Sequence, residues 1–191
     1  MKHIGILGGS FNPVHFGHLL MAQTALDGLN LDKVLFVPAN TSPFKTAKVS
    51  VSAVMRLDML RLATQTRGQF GIYDGEIKRG GVSYTSDTVR DLTELYPATK
   101  FYLIMGCDTF VDFGKWKNTE EIIDLSTLVV INRPGYDAPI KSKFPHKAID
   151  MPALAIASSD IRKRVKAKKS IAYLTPDTVV DYIHKKKLYL I

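Results

Sequence analysis

The chain has 191 residues, 46% hydrophobic and 23% charged, with one cysteine and a formal net charge of +8. This length supports one core rather than two, and the balanced composition excludes a disordered or fibrous chain. A lone Cys107 excludes an internal disulfide and a cysteine-rich metal site, while a pI of about 9.5 gives a surface that attracts anions.

No apolar stretch nears the roughly 20 residues of a membrane span, and the apolar run after Met1-Lys2-His3 is too short for a signal-peptide core. A cytoplasmic protein with no membrane partner is expected. In chain order, Lys2–Leu7 predicts a strand and Gly17–Leu29 a helix. Lys33–Val37 predicts a second strand and Val51–Arg67 a second helix, with Met55, Met59, Leu60 and Ala63 at three- and four-residue spacing. Strand Phe70–Ile77, helix Thr85–Tyr96, strand Lys100–Met105, helix Thr119–Leu125 and strands Thr127–Asn132 and His146–Met151 follow. Residues 134–146, with three prolines, predict a long mobile loop. Beyond Ile156 the pattern turns helical: Ser158–Lys168, then Pro176–Lys187 with Thr175 as N-cap and Pro176 at the first helical position. Such alternation implies an α/β fold, a doubly wound parallel sheet whose ligands bind off the carboxyl ends of the strands, with a small C-terminal helical part. The basic runs within 162–169 and 185–187 read first as solvated helix faces and second as a nucleic-acid footprint.

The stretch GGSFNPVHFGHL, residues 8–19, joins the first strand to the first helix. It contains neither G-x-x-x-x-G-K-[ST] nor G-x-G-x-x-G, which excludes a P-loop kinase or a dehydrogenase fingerprint there. Bare backbone at Gly8-Gly9 lets amides approach a ligand closely. His15 and His18, one turn apart at a helix start, project the same way, with Gly17 leaving room between them for a bulky group. Zinc would need a third ligand at recognisable spacing, and none stands there. Two satisfied core histidines remain an alternative, but phosphate binding accounts for the glycines, the helix start and both imidazoles together. A second cradle is suggested by Ile156-Ala157-Ser158-Ser159-Asp160-Ile161-Arg162, where hydroxyls at a helix N-terminus precede an arginine. An ordinary cap and a surface arginine would read the same way.

The first stretch resembles the signature of the nucleotidyltransferase superfamily with the H-x-G-H motif, whose members join a nucleoside triphosphate's α-phosphate to an acceptor phosphate and release pyrophosphate. The second resembles that superfamily's I-S-S-T-x-I-R element, departing from it at Ala157 and Ser159. One branch, the bacterial nicotinate mononucleotide adenylyltransferases, is similar from Lys2 to Tyr189. Ser42-Pro43-Phe44-Lys45 resembles its P-P-H-K segment, with Phe44 in place of histidine; Arg79–Thr88 resembles R-x-G-x-S-Y-T-x-D-T; and Gly106-Cys107-Asp108, Lys115-Trp116 and Arg133-Pro134-Gly135 match G-x-D, K-W and R-P-G.

The resemblance implies a single domain over residues 1–191 in which segment 157–191 completes the ATP site. It implies catalytic roles for His15, His18, Lys45 and Arg162, and ATP contacts from Gly8, Gly9, Ser10, Phe11, His15, His18, Ser158, Ser159 and Arg162. For nicotinate mononucleotide it implies Lys45, Ser83, Tyr84, Thr85, Asp108, Trp116 and Arg133. The chemistry suits these types: amides of Tyr84 and Thr85 at a helix start can hold a carboxylate, Asp108 after a strand can accept from ribose hydroxyls, and Trp116 can stack on a pyridine ring. Each has a plainer reading as a cap or a core residue. No acidic cluster is present to hold a resident metal, so Mg²⁺ arrives with ATP. A homodimer is the family expectation. Rival acceptors are nicotinamide mononucleotide, phosphopantetheine or a cytidylyl acceptor; a basic nucleic-acid-binding module is a distant rival that leaves His15 and His18 unexplained.

Overall fold

A computed structural model describes residues 1–43, 51–132 and 142–190. Six strands, β1 Lys2–Gly9, β2 Lys33–Pro38, β3 Phe70–Ile72, β4 Thr99–Gly106, β5 Ser126–Asn132 and β6 His146–Asp150, pair in parallel in the order β3-β2-β1-β4-β5-β6. Helices α1 Phe16–Gly28, α2 Ala53–Thr64, α3 Gly75–Arg79, α4 Thr85–Leu95, α5 Cys107–Phe110, α6 Thr119–Leu125, α7 Ser158–Lys166 and α8 Asp177–Lys185 fill the intervals. Both faces of the sheet are covered, and the two-residue period of the strands sorts their side chains accordingly. Val34, Phe36, Tyr102, Ile104, Val129 and Ile131 meet Met21, Ala25, Met59, Leu60, Ile161 and Val179 from α1, α2, α7 and α8. Leu35, Val37, Phe101, Leu103, Met105, Leu128 and Val130 meet Val89, Leu92 and Ile122 from α4 and α6. At about 1.5–3 kcal/mol for each large aliphatic or aromatic side chain removed from water, these two layers dominate stability.

Strand order reverses between β1 and β4. The crevice beyond their carboxyl ends is where an open parallel sheet of this kind places ligands, and there the GGSFNPVHFGHL stretch and Gly106-Cys107-Asp108 emerge.

Several element limits differ from expectation. β3 ends at Ile72 rather than Ile77, because residues after Asp74 coil into α3, where the buried Glu76 accepts from Thr88 Oγ1 and Lys78 pairs with Asp74 at 2.8 Å. α2 begins at Ala53, two residues after Val51, since the Ser52 hydroxyl accepts from Met55 N and makes Ser52 the cap. Thr175 does not cap α8; Pro176 occupies the cap position, and the Thr175 hydroxyl, wholly buried, donates to Val14 O at 2.8 Å instead. The expected loop 134–146 lies mostly outside the described residues.

That Thr175 contact belongs to a set. The hydroxyl of Ser158 donates to Pro13 O at 2.8 Å, Arg162 Nη1 donates to Asn12 O at 2.7 Å, and the Tyr189 hydroxyl donates to Asn12 Oδ1 at 2.6 Å. Phe16 N, the first amide of α1, donates to Leu174 O at 3.1 Å. The C-terminal helices thereby strap the loop between β1 and α1, while α8 packs on α2 through the hydroxyl of Tyr182 on Asp58 and that of Thr178 on Leu62 O. Replacing Thr175 by the isosteric valine leaves Val14 O buried without its donor. A loss of about 1–3 kcal/mol is expected in urea unfolding, and an unchanged midpoint would show that this hydrogen bond does not hold the strap.

Candidate active site

Gly8, exposed, has open space where a β-carbon would stand, so the backbone at the end of β1 is bare, as the sequence suggested. Gly9 lies under the Phe11 ring, whose nearest carbons would be 3.1–3.4 Å from a β-carbon there. Phe11 takes a left-handed φ of 45° and buries its ring edge-on to His18, at 5.0 Å between centroids, and at 5.8 Å from Phe36. Ser10, half-buried, is the turn between them.

His15 is the N-cap residue of α1, and its amide donates to His18 Nδ1 at 3.3 Å. A ring nitrogen that accepts carries no hydrogen, so the neutral His18 ring bears its proton on Nε2, as a donor. The two imidazoles stack, with centroids 3.7 Å apart and planes at 28°. His15 is 4% exposed and forms the inner member; His18 is half-buried and forms the outer one. Gly17 does make room, but for the His15 ring itself: a β-carbon at 17 would lie 3.0 Å from His15 Nδ1. The pair is therefore a stacked unit, not two fingers parted around a guest.

From the C-terminal side, Ser158 and Arg162 reach this loop through the carbonyls of Pro13 and Asn12, so the Ser158 hydroxyl ties the loop rather than capping α7, whose N-cap is Ala157. Ser159 is exposed in the first turn of α7. Tyr189, 7% exposed, lies in the same nest; burial pushes its phenol well above the ordinary range, while the nearby cations Arg162 and Arg56 pull the other way.

A second group gathers beyond β2. Thr41 bridges Val82, Ser83 N donates to Thr41 O at 2.8 Å, and Ser83 Oγ accepts from Asn40 N at 2.9 Å. Burial raises the pKa of Glu76, opposed by hydrogen bonds from Thr88 and Ser83, so the Ser83 hydroxyl is held from both sides. Tyr84 is the N-cap residue of α4 and Thr85 its first residue, which leaves the first-turn amides without helical acceptors. Lys117 Nζ lies 4.4 Å above the Tyr84 ring, a cation–π contact. Its neighbour Trp116, half-buried, tilts against Phe113 at 5.4 Å. Asp108, exposed at the end of β4, accepts from Thr109 N at 3.0 Å and curls back so that a β-carbon at Gly106 would lie 2.6 Å from its Oδ1. Lys45 and Arg133 lie outside the described residues.

Sequence reasoning passed over Arg56, which joins the two groups: Nη1 donates to Ser10 O at 2.6 Å and Nη2 to Asn40 O at 2.9 Å. Its signal was legible, because Arg56 falls on the same stripe of α2 as the buried Met59 and Leu60. Burial lowers its pKa, with Tyr189 acting in the opposite sense. Tyr189 and Lys117 left no comparable local mark, and that of Thr175 pointed to a helix cap. Among the described residues, no three histidine, cysteine or acidic side chains group to hold a metal, and no helix is long and apolar enough to cross a membrane.

Comparison with known proteins agrees with this geometry. Residues 6–164 match the cytidylyltransferase-like family. A protein of Oceanobacillus iheyensis named "Probable nicotinate-nucleotide adenylyltransferase" is 39% identical over 189 residues, covering 99% of this chain and 97% of its own. One of Bacillus anthracis with the same name is 41% identical, covering 99% of each. Among solved structures, Plasmodium falciparum nicotinic acid mononucleotide adenylyltransferase complexed with NaAD superposes with a TM-score of 0.80 at 26% identity, over 99% of this chain and 98% of that one. The same enzyme complexed with APC gives 0.81 at 22%, over the same shares. A parallel sheet reversing at β1 and β4, a bare Gly8 backbone running into a histidine pair, and relatives alike over their full length together place this chain in the nicotinate-nucleotide adenylyltransferases, within the cytidylyltransferase-like family.

Proposed function

We propose that this protein joins ATP and nicotinate mononucleotide into nicotinate adenine dinucleotide with release of pyrophosphate, a step of NAD biosynthesis in the cytoplasm. The observation that carries this reading is the stacked His15–His18 pair at the start of α1, beside the exposed Gly8 backbone at the point where strand order reverses.

The acceptor phosphate is already ionised at neutral pH, so it attacks the α-phosphorus of MgATP directly, and the protein's work is to align two anions that repel each other. His18 Nε2 donates to the triphosphate, and the stacked His15 holds the His18 ring in that attitude. Amides at Gly8, Gly9, Ser10 and Phe11, the start of α7 at Ser158 and Ser159, and the cations Lys45 and Arg162 offset charge moving onto the leaving pyrophosphate. Segment 157–191 completes the ATP site by holding the carbonyls of residues 12–14. Mg²⁺ enters with the nucleotide. On the acceptor side, the amides at Tyr84 and Thr85 receive the nicotinate carboxylate, with Ser83 fixing the turn and Lys117 adding positive potential. Asp108 accepts from ribose, Trp116 borders the pyridine ring and Arg133 contacts the nicotinate mononucleotide. The acidic form is favoured over nicotinamide mononucleotide because an α-helix start and a lysine both attract a carboxylate.

Two measurements test this. Steady-state turnover of His18→Ala should fall at least about 100-fold with urea unfolding unchanged, and near-normal turnover would remove His18 from the reaction. The kcat/KM for nicotinate mononucleotide should exceed that for nicotinamide mononucleotide by at least about 10-fold, as one charge-assisted contact is lost; the reverse preference would overturn the acceptor assignment.

A further inference from the structure

The apolar face of α2 carries a full positive charge. Arg56 is 2% exposed, in the stripe that includes Met59 and Leu60. Arginine is almost never so completely buried unless an anion meets it, since the desolvation penalty is several kcal/mol. None of the ion pairs among the described residues involves Arg56, and the group that acts on its charge is the phenol of Tyr189, not a carboxylate. The segment just before α2, residues 44–50, contains no acid either. Its partners are two backbone carbonyls, those of Ser10 and Asn40, and among the described residues its Nε is buried with no hydrogen-bond partner.

The two carbonyls come from different loops. Ser10 belongs to the loop after β1, with the histidine pair, and Asn40 to the loop after β2, whose amide holds Ser83. A planar trans peptide sends its C=O and N–H in opposite directions. Drawing the Ser10 carbonyl onto the guanidinium therefore turns the Phe11 amide away from Arg56. The fork of one guanidinium thus sets the orientation of a peptide in one loop and its distance from the other.

We propose that Arg56 is a positioning residue for both substrates, tying the donor loop to the acceptor loop and holding in the interior a charge whose counter-ion is the phosphate of the bound nucleotides. This rests on the adenylyl-transfer reading. Without ligand the cation is stabilised by dipoles alone; with ligand, negative oxygens fill the space before the loops it holds, and the low local dielectric lets the charge be felt there.

The test uses the full chain with Arg56→Met and Arg56→Lys, and reads Kd for MgATP and for adenosine by calorimetry, with kcat and KM for the complete reaction. Arg56→Met removes the charge at similar length: affinity for MgATP should fall about 10- to 100-fold, while affinity for adenosine, which has no phosphate, stays within about twofold. Arg56→Lys keeps the charge but cannot grip two carbonyls with a planar fork. Its affinity for MgATP should stay within about threefold while kcat falls at least about 10-fold. Wild-type affinity for MgATP in Arg56→Met, or parallel loss of adenosine and MgATP, would overturn the proposal, the second result marking Arg56 as a support of the fold. If Arg56→Met does not fold, Arg56→Lys decides, and wild-type kcat in that variant overturns it. A wild-type protein that made no dinucleotide would defeat the adenylyl-transfer reading, and the comparison of MgATP with adenosine would still judge Arg56.

Discussion

Three consecutive carbonyls, those of Asn12, Pro13 and Val14, are each met by a side chain from α7 or from the segment joining it to α8: Arg162, Ser158 and Thr175. A loop that folds over the edge of a sheet has no ladder or helix in which to satisfy its backbone, and buried carbonyls left unmet are costly. Satisfying them from outside removes the loop's freedom to relax. His15 is then fixed as the first cap of α1, its amide is available for His18, and the two rings stack. The geometry of the histidine pair is in this sense a by-product of backbone hydrogen-bond accounting.

The site divides into two halves built by different means. Beside the histidine pair, the bare Gly8 backbone and a helix start present fixed dipoles, and the imidazole pair adds a directed donor. Beyond β2, the start of α4 is steadied by a buried chain of hydroxyls and a carboxylate running from Asn40 N through Ser83 to Glu76 and Thr88. Charge is rationed: most of the excess lysine and arginine lies on exposed helix faces, and few cations are brought inside. Two of them among the described residues, Arg56 and the half-buried Arg162, donate to loop carbonyls, which fixes their position.

Much of this was legible in the sequence. Alternating apolar runs and helical stripes sufficed for the parallel sheet, because each strand of a doubly covered sheet must be apolar on both faces. The residues 8–19 stretch was legible because glycines, a helix start and imidazoles are local features. What was not legible is non-local. Ser158 looked like a cap and Thr175 like another, since a hydroxyl at a helix start is normally spent on its own helix; only the folded chain brings Pro13 and Val14 within reach. Gly17 was rightly read as space, but nothing in the spacing said that the His15 ring would fill it. Glu76 looked like part of a strand because its burial by Thr88, twelve residues on, leaves no periodic trace.

The strap also orders events in time. Its hydrogen bonds join residues 145, 150, 161 and 177 positions apart, among the longest separations a chain of this size allows. During synthesis residues 12–14 emerge at least 145 residues before the side chains that meet their carbonyls. Contacts of such range form late, after local helices and neighbouring strands have shortened the intervening path. The strap, and with it the seating of the histidine pair, therefore carries the largest loop-closure cost of the contacts described around this loop.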